Sequence, residues 1–212
     1  MEKENILFIC AHSDDHIFGA GGTIAKYAEE GKHVHVIILS YGEKSHPWLK
    51  ANITKNMRAN ETQHADDVVG CTSTFFDIKE GHFMNEYPAM KDKVLALVRK
   101  EKPTKIFTHN NEDPHPDHKA SYNITMDIIK EARLKPEIYL FSIWNPFSLR
   151  KSHFPKMYVD TSKTYAKKLQ AIKHFRSQWA AIALLVGGIF SRDFKNGLHI
   201  GARFAESFYR AE

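Results

Sequence analysis

The sequence predicts an α/β fold with a mostly parallel sheet and helices on both faces, a Rossmann-like arrangement in three layers. Three observations lead to this prediction. Short runs rich in β-branched and aromatic residues alternate with longer amphipathic runs, which is typical of βαβ units. The composition, 42% hydrophobic and 26% charged over 212 residues, is that of a globular protein with a sizeable core. No linker rich in Pro, Gly or Ser and no internal repeat divides the chain, so we expect one domain over residues 1–212.

The strands and helices are expected to alternate along the chain. Strands are predicted at 5–11, 34–40, 72–78, 105–110 and 137–143. Helices are predicted at 20–31, 56–70, 90–102, 117–133 and 162–176. Three of these helices end where the sequence supplies a stop, at Gly31, Gly70 and Pro103. The apolar run 179–190 is too short to span a bilayer, so it predicts either a buried helix or an apolar surface that packs on another subunit.

Charge and cysteine content exclude several classes of protein. The net charge of +5 and the pI near 9.0 are mild, and the basic residues are scattered, unlike a nucleic-acid-binding arm. The N-terminus is too polar for a signal sequence. Cys10 and Cys71 both lie in or beside apolar runs and are expected to be reduced core residues. We therefore expect a cytoplasmic protein with neither nucleic-acid nor membrane partners.

Two clusters of polar residues directly follow predicted strands. The first is His-Ser-Asp-Asp-His at 12–16, and the second is HNNEDPHPDH at 109–118. Ligand sites of α/β folds lie at the carboxyl ends of the parallel strands. Both clusters are therefore expected at the same edge of the sheet, in spite of their separation along the chain.

Imidazole and carboxylate groups at such an edge suit a divalent metal ion such as zinc. A catalytic zinc site typically has three protein ligands and leaves one position for water. Asp14 and Asp15 are adjacent, so their side chains diverge, and one can bind the metal while the other faces the water. The alternative is that these residues only cap the helix that follows. The occurrence of two such clusters favours the metal site.

The residues of both clusters resemble the LmbE/PIG-L family of zinc-dependent N-acetylglucosamine de-N-acetylases. AHSDDH at 11–16 is similar to the family signature AHPDD(E), and HPDH at 115–118 is similar to its second motif. Weaker similarities at 58–70, 168–178 and 205–210 extend the resemblance over almost the whole chain. The resemblance implies hydrolysis of the N-acetyl group of a small molecule, an amino sugar or glycoside, to acetate and a free amine.

The resemblance also implies roles for individual residues. The implied zinc ligands are His12, Asp15 and His118. One zinc ion is expected per subunit, with another divalent metal as the alternative. Asp14 would be the general base, a protonated His115 would stabilise the oxyanion, and Asp117 would orient His115 and hold it charged. Because members of the family are often oligomeric, we also expect a homo-oligomer.

Two positions depart from the family pattern: Ser13 replaces the usual proline, and His16 replaces the usual glutamate. The position of His16 holds no metal but can touch the substrate, so this replacement bears on substrate identity more than on chemistry. The residues expected to contact substrate are Arg58, His16, Trp48, Asn110, Trp144 and the adjacent Asn145. Structural roles are the alternatives, such as a surface salt bridge between Arg58 and Glu61 or Asp66.

Three other interpretations remain open from the sequence. Two histidines and one aspartate also form the metal site of non-haem Fe(II) oxygenases, but the predicted layers and the pair Asp14–Asp15 argue against that chemistry. Gly19, Gly21 and Gly22 could belong to a nucleotide-binding module. A dinucleotide fingerprint begins directly after the strand, however, so close packing of the helix explains these glycines better. A non-catalytic nucleotide- or sugar-binding relative is disfavoured because every implied ligand and the base are present.

Overall fold

A computed structural model describes residues 4–46, 48–144 and 155–211. These residues form one seven-stranded sheet between two layers of helices. The α/β fold in three layers, predicted from the alternation of strands and helices, is thereby confirmed.

The sheet is mostly parallel. Its strands are β1 (Asn5–Cys10), β2 (His33–Ile38), β3 (Thr72–Phe75), β4 (Lys105–His109), β5 (Glu137–Phe141), β6 (Lys156–Asp160) and β7 (Ala205–Arg210). The helices are α1 (Asp15–Glu29), α2 (Ala51–Val69), α3 (Phe83–Glu101), α4 (Pro116–Ala132), α5 (Tyr165–Ile172) and α6 (Trp179–His199). The strand order is β3-β2-β1-β4-β5-β7-β6. Among the described strands, β7 runs in the opposite direction to all the others.

Alternate residues of the central strands face two separate cores. On one face, Phe8 of β1 packs in a core that includes side chains of α1, α2, α5 and α6. On the other face, Leu7 and Ile9 pack in a core with side chains of α3 and α4. Because β1 is covered on both faces, its sequence is a continuous apolar run and not an alternating one.

The pairing of β1 with β4 decides where the polar clusters meet. The two strands are parallel neighbours with Phe8 opposite Phe107, and those rings stack with centroids 4.6 Å apart. The segments that follow β1 and β4 therefore leave the sheet side by side at its carboxyl edge, as the sequence predicted.

The glycines of α1 allow the helix to pack closely. A Cβ atom at Gly19 would collide with the ring of Phe141 in β5, and one at Gly22 would lie 2.9 Å from Thr161. Both glycines lie inside the helix and not in a loop before it. These contacts support the packing role and not a phosphate-binding loop.

The chain after β5 differs most from the prediction. The helix expected at 162–176 is shorter, since α5 ends at Ile172, and the strands β6 and β7 were not predicted. The run 179–190 forms the first part of α6, which continues to His199. This helix buries one narrow face and leaves large apolar side chains exposed, among them Trp179, Leu184 and Phe190. None of the helices in the described ranges has the length and apolar character needed to cross a bilayer.

A group of charged residues joins the C-terminal elements to α1. We call it the buried ion cluster: Lys168 of α5, Asp193 of α6 and Glu206 of β7. The Lys168 ammonium lies 2.7 Å from an Asp193 oxygen and 2.6 Å from a Glu206 oxygen. Glu206 also accepts the backbone N–H groups of Gly22 and Thr23. Thus the similarities at 168–178 and 205–210 include residues that hold the fold together.

Candidate active site and metal centre

The starts of two helices bring the polar clusters to the carboxyl edge of the sheet. α1 begins at Asp15, just after the turn that follows β1. α4 begins at Pro116, and His115 is its N-cap residue. Proline at the first helical position has a suitable φ and loses no helical hydrogen bond. The HPDH motif therefore delivers His115, Asp117 and His118 within one turn at this edge.

His12, Asp15 and His118 lie together, and one potential ligand atom from each lies within 4.8 Å of the others. Nε2 of His118 lies 3.4 Å from Oδ1 of Asp15, and Nδ1 of His12 lies 3.6 Å from Oδ2 of the same carboxylate. All three side chains are buried. The fold thus assembles two imidazoles and one carboxylate from segments a hundred residues apart into what we call the ligand cluster.

The ligand cluster fits a divalent metal ion. Within the described part of the chain, Nε2 of the buried His118 has no hydrogen-bond partner. Its Nδ1 lies 3.0 Å from a carboxylate oxygen of Asp113, and Nε2 of His12 lies 3.2 Å from one of Asp117. Carboxylates commonly hold the second nitrogen of a metal-ligating histidine in this way. That arrangement leaves Nε2 of His118 and Nδ1 of His12 beside Asp15 as ligand atoms.

The charged groups of this cluster shift the pKa values of one another. Burial lowers the pKa of His118, but the carboxylates of Asp15 and Asp113 outweigh it and raise the pKa to about 10. Burial likewise opposes ionisation of Asp15, yet His118 and His109 hold the pKa of its carboxyl well below the usual range. A cation is therefore favoured between these carboxylates, and a divalent metal would displace the proton from His118.

Asp14 lies beside the ligand cluster but has a different partner. Its Oδ1 is 3.2 Å from Nη2 of Arg58, in an ion pair that is almost completely buried. Nε of Arg58 donates a 2.7 Å hydrogen bond to Oγ of Ser13. Ser13, at the position of the family's proline, therefore holds Arg58, which in turn fixes the carboxylate of Asp14. The alternative of a surface salt bridge from Arg58 to Glu61 or Asp66 is wrong.

The contact between His115 and Asp117 differs from the expectation. The Asp117 carboxylate faces His12 and accepts the N–H of Gly81 at 3.0 Å. Instead, the backbone N–H of Asp117 donates to Nδ1 of His115 at 3.2 Å. Burial lowers the pKa of His115, and the nearby charges of His118 and His12 lower it further. The helix start therefore orients His115 as a neutral ring, and the Asp117 carboxylate does not hold it charged.

His109 lies directly behind the ligand cluster. Its Nε2 accepts the backbone N–H of Ala11 at 3.1 Å and lies 3.1 Å from Oδ2 of Asp15. Its ring stacks on that of His118 at a centroid distance of 3.9 Å. Burial and the charge of His118 lower the pKa of His109 to about 4. His109 is thus a neutral neighbour of the cluster that also satisfies a backbone group.

Asp113 is a buried residue to which the sequence analysis assigned no role. Besides its contact with His118, it accepts the backbone N–H groups of His115, Ile143 and Trp144 at 3.1 to 3.2 Å. It therefore links the second polar cluster to the segment after β5. Its position inside HNNEDPHPDH was the only sequence signal that could have identified it.

A cavity of about 160 Å³ opens over the site. Its charged wall consists of Asp14, Asp15, Glu80 and Arg58, and His12 and His115 complete the polar side. Trp144, together with Ala181 and Leu185 of α6, forms part of the apolar side. Three carboxylates thus face one guanidinium before any metal ion is counted. Glu80 was not predicted, because it lies in a turn with no motif around it.

Two of the residues expected to contact substrate line this cavity, namely Arg58 and Trp144. Trp48 is 75% exposed and lies edge-on to the ring of His46, outside the residues that form the cavity wall. Asn145 lies outside the described residues. Both therefore border the cavity, Trp144 as an exposed side chain and Arg58 as a buried partner of Asp14.

His16 and Asn110 are placed differently from the expectation. His16 is fully buried, and its Nε2 lies 2.8 Å from Oδ1 of Asp66. Asn110 is also buried, and its side-chain oxygen accepts the backbone N–H of Glu112 at 3.0 Å. Neither side chain is part of the described cavity wall. Both support the site from behind, because each is buried, has an internal partner and lies outside the cavity wall.

Comparison with known proteins gives one matching family. The family model described as GlcNAc-PI de-N-acetylase (PIG-L) matches residues 7–129, which is more than half of the chain and includes both polar clusters. A 4-oxalmesaconate hydratase from Pseudomonas putida is 28% identical over 203 residues, which cover 83% of this chain and 74% of the relative. A 1D-myo-inositol 2-acetamido-2-deoxy-alpha-D-glucopyranoside deacetylase from Rhodococcus jostii is 24% identical over 161 residues. That match covers 62% of this chain and only 55% of the deacetylase.

Solved structures show the same fold. The 4-carboxy-2-hydroxymuconate hydratase from Pseudomonas putida has a TM-score of 0.85 at 22% identity, with 99% of this chain and 96% of the other covered. The N,N'-diacetylchitobiose deacetylase from Pyrococcus horikoshii has a TM-score of 0.81 at 21% identity, with 99% and 84% covered. At such identities the likeness extends to architecture only.

Proposed function

Because the chain belongs to the PIG-L family of de-N-acetylases, we propose that it hydrolyses the N-acetyl group of an amino-sugar-type small molecule. The products would be acetate and a free amine. The observation that carries this proposal is the ligand cluster with a second carboxylate, that of Asp14, left outside it at the cavity wall. Amide hydrolysis needs both an activated water and a separate group that accepts its proton, and this arrangement supplies a place for each.

We propose zinc as the metal, one ion per subunit, held by His12, Asp15 and His118, with another divalent ion as the alternative. When bound, such an ion polarises a carbonyl and lowers the pKa of water towards about 7. Asp113 and Asp117 would keep the ligating rings in place through their second nitrogens. The mixed nitrogen and oxygen donor set supports a borderline ion such as zinc.

Asp14 is proposed as the general base. Arg58 and Ser13 hold its carboxylate at the cavity wall beside the ligand cluster. From there the carboxylate can accept the proton of the attacking water and later deliver it to the departing amine. A base positioned in this way contributes about 10²–10⁴ to the rate.

His115 is proposed to stabilise the oxygen that becomes negative during attack. Its Nδ1 accepts the N–H of Asp117, so a neutral ring carries its proton on Nε2. Nε2 is then a hydrogen-bond donor at the cavity wall, and no protonated imidazole is required. One such donor typically lowers the barrier by about 3–4 kcal/mol.

The charges of the cavity support an uncharged substrate. The three carboxylates of the wall and the single Arg58 leave two negative charges, which a divalent ion would balance. A neutral N-acetyl sugar therefore enters without a charge penalty, whereas a substrate with several carboxylates would meet Asp14 and Glu80. The free amine formed is protonated at neutral pH and compatible with the same carboxylates.

Hydration of a carbon–carbon double bond in a carboxylic acid is the second candidate. The match to the 4-oxalmesaconate hydratase, which covers more of this chain than the match to the Rhodococcus jostii deacetylase, favours it. In that reaction Arg58 would have to bind a carboxylate of the substrate. Its guanidinium is already paired with the carboxylate of Asp14. The charge of the cavity wall therefore makes deacetylation the better supported reaction.

We also propose a cytoplasmic homo-oligomer, as expected from the sequence. The free, buried cysteines Cys10 and Cys71 agree with a reducing compartment. The exposed apolar side chains of α6 offer a surface for a second copy. Sedimentation of the wild-type chain and of a Leu184→Glu variant would test the oligomer, with dissociation expected for the variant.

The proposed reaction is tested by acetate release across a panel of N-acetylated mono- and disaccharides and glycosides. The panel is run with added zinc, with a chelator, and without oxygen, and unsaturated dicarboxylic acids are assayed for hydration in parallel. We expect chelator-sensitive acetate release that needs no oxygen. Hydration without acetate release would replace the proposal by the second candidate, and a requirement for Fe(II) and oxygen would overturn both.

A further inference from the structure

A second group of metal-binding side chains lies at the opposite edge of the sheet. His33 and His35 belong to β2, and Glu101 is the last residue of α3. His33 pairs with Asn5 at the start of β1, so it lies at the amino ends of the strands. The ligand cluster lies beyond the carboxyl ends of the same strands, and the two groups are therefore separate.

The geometry of this group follows from the strand repeat. Residues i and i+2 of a strand face the same side of a sheet, so His33 and His35 project together. Their ring centroids are 6.2 Å apart, and Nε2 of His33 lies 3.1 Å from Oε2 of Glu101. One potential ligand atom from each of the three residues lies within 4.8 Å of the others.

The contacts of His35 are with hydroxyl groups that a metal ion can replace. Both nitrogens of His35 lie 3.1 Å from threonine hydroxyls, those of Thr72 and Thr74. Either nitrogen can ligate a metal after one hydroxyl rotates away, while the other hydroxyl continues to hold the ring.

We propose that His33, His35 and Glu101 form a second site for a divalent transition-metal ion of the zinc class. Two imidazoles and one carboxylate are ligands that zinc, copper and nickel accept, whereas magnesium and calcium prefer oxygen ligands alone. The half-exposed position leaves further coordination positions to water. This inference does not depend on the proposed reaction, because no residue of the ligand cluster takes part in it.

The consequence of this site would be stability and not catalysis. An ion held there connects β2 to the end of α3, and its ligands His33 and Glu101 are 68 positions apart in the sequence. Because the three ligands are close together only in the folded chain, the ion binds the folded state preferentially and raises the melting temperature. We expect the catalytic rate to be unaffected.

The site is tested by zinc stoichiometry, measured by equilibrium dialysis and metal analysis on the full chain. The wild type is expected to bind two equivalents, and a His33→Ala/His35→Ala variant is expected to bind one while keeping full activity. A variant that lacks the ligand cluster histidines, His12→Ala/His118→Ala, is expected to bind one. The combination of all four substitutions is expected to bind none.

The control is His199→Ala, which removes an exposed histidine at the end of α6 and should leave two equivalents bound. Glu101→Gln provides a milder variant, expected to weaken binding at the second site without altering the fold. Added zinc should raise the melting temperature of His12→Ala/His118→Ala but not that of the fourfold variant. Two equivalents bound by His33→Ala/His35→Ala would overturn the proposal, as would an absence of zinc binding by His12→Ala/His118→Ala.

Discussion

The buried ion cluster and the ligand cluster both place charged side chains in the interior, but they differ in how those charges are matched. In the buried ion cluster, Lys168 has two carboxylate partners within 2.7 Å, and each carboxylate has further donors. In the ligand cluster region, the rings of His12, His115 and His118 lie 4.6 to 5.6 Å apart. Neither ring nitrogen of the buried His118 has a hydrogen-bond partner among the described residues.

This difference separates a structural function from a chemical one. Buried polar groups are almost always paired, and an unpaired one costs about 1–3 kcal/mol. The buried ion cluster meets that rule with protein groups alone, so it needs no ligand. The ligand cluster does not meet it, and its atoms converge on one point, which is the arrangement expected where a metal ion completes the structure.

The largest expected effect is on catalysis, and it distinguishes Asp14 from the residues of the ligand cluster. Asp14→Asn should lower kcat by up to about 10⁴, or about 5.5 kcal/mol, because the amide cannot accept the proton of water. Metal content should remain that of the wild type, since Asp14 lies outside the ligand cluster. Acetate release and zinc content measure the two effects, with Asp92→Asn on the exposed face of α3 as the control. Loss of zinc together with activity would place Asp14 among the ligands.

The next largest effect is on stability and concerns the buried ion cluster. Lys168→Met should lower the free energy of unfolding by about 3–5 kcal/mol, because Asp193 and Glu206 lose the cation between them. Zinc binding by the folded variant should not change. The neighbouring Lys167 is 44% exposed and pairs with Glu29 on the surface, so Lys167→Met should cost less than about 1 kcal/mol. Urea unfolding of both variants is the measurement, and equal losses would contradict the distinction.

A smaller effect is expected where a carboxylate supports a ligand without binding the metal. Asp113→Asn removes the charge beside Nδ1 of His118 and should weaken zinc binding by about 10–100-fold. Competition with a chromophoric chelator measures the affinity, and the exposed neighbour in Glu112→Gln is the control. An unchanged affinity would show that Asp113 serves only the backbone groups of the loop.

The carboxylate of Asp113 is also expected to affect how stability depends on pH. Burial raises the pKa of Asp113, but His118 and backbone N–H groups outweigh it and lower the pKa from 3.8 to about 2. Its contribution to the stability of the metal-free protein is therefore complete above about pH 4 and is lost as the pH falls towards 2. Asp113→Asn should flatten that part of the stability profile, and an unchanged acid limb would contradict this assignment.

The smallest expected effect concerns Ser13. Ser13→Ala removes the hydroxyl that accepts from Nε of Arg58, a hydrogen bond to a charged group worth about 1.5 kcal/mol. We expect a roughly tenfold lower kcat/KM with unchanged zinc content, because Asp14 is less firmly held. Ser162→Ala, at a surface turn remote from the site, is the control. A variant with wild-type kcat/KM would show that the ion pair holds Asp14 without this support.

The strands and helices that the sequence predicted well are those with uninterrupted patterns. β1 is covered on both faces and is an apolar run with a clear end, and β2 and β4 each contain a run of buried residues. β6 and β7 were missed because they lie towards one end of the sheet and carry charged residues within the strand. The starts of helices were also misjudged, since α1 begins at Asp15, inside the polar cluster, and not at residue 20.

The part of the candidate site that lies within sequence motifs was predictable. The resemblance to the family implied His12, Asp15 and His118 as ligands, and their proximity was predictable because the two clusters follow parallel strands. The pairing of Asp117 with His12 could not be read from the sequence, because it depends on the orientation of α4. The contact of the buried His16 with Asp66, which belongs to a different helix, could not be predicted from the sequence either.

α6 contributes Ala181 and Leu185 to the cavity wall, while every ligand-cluster residue comes from the turn or the helix start that follows β1 or β4. Part of the cavity wall and the proposed metal ligands therefore come from different parts of the chain. We expect a larger side chain at position 181 to change which substrates fit the cavity and to leave the ligand cluster unchanged. Substitutions in α6 alone could thus change substrate selectivity within this fold.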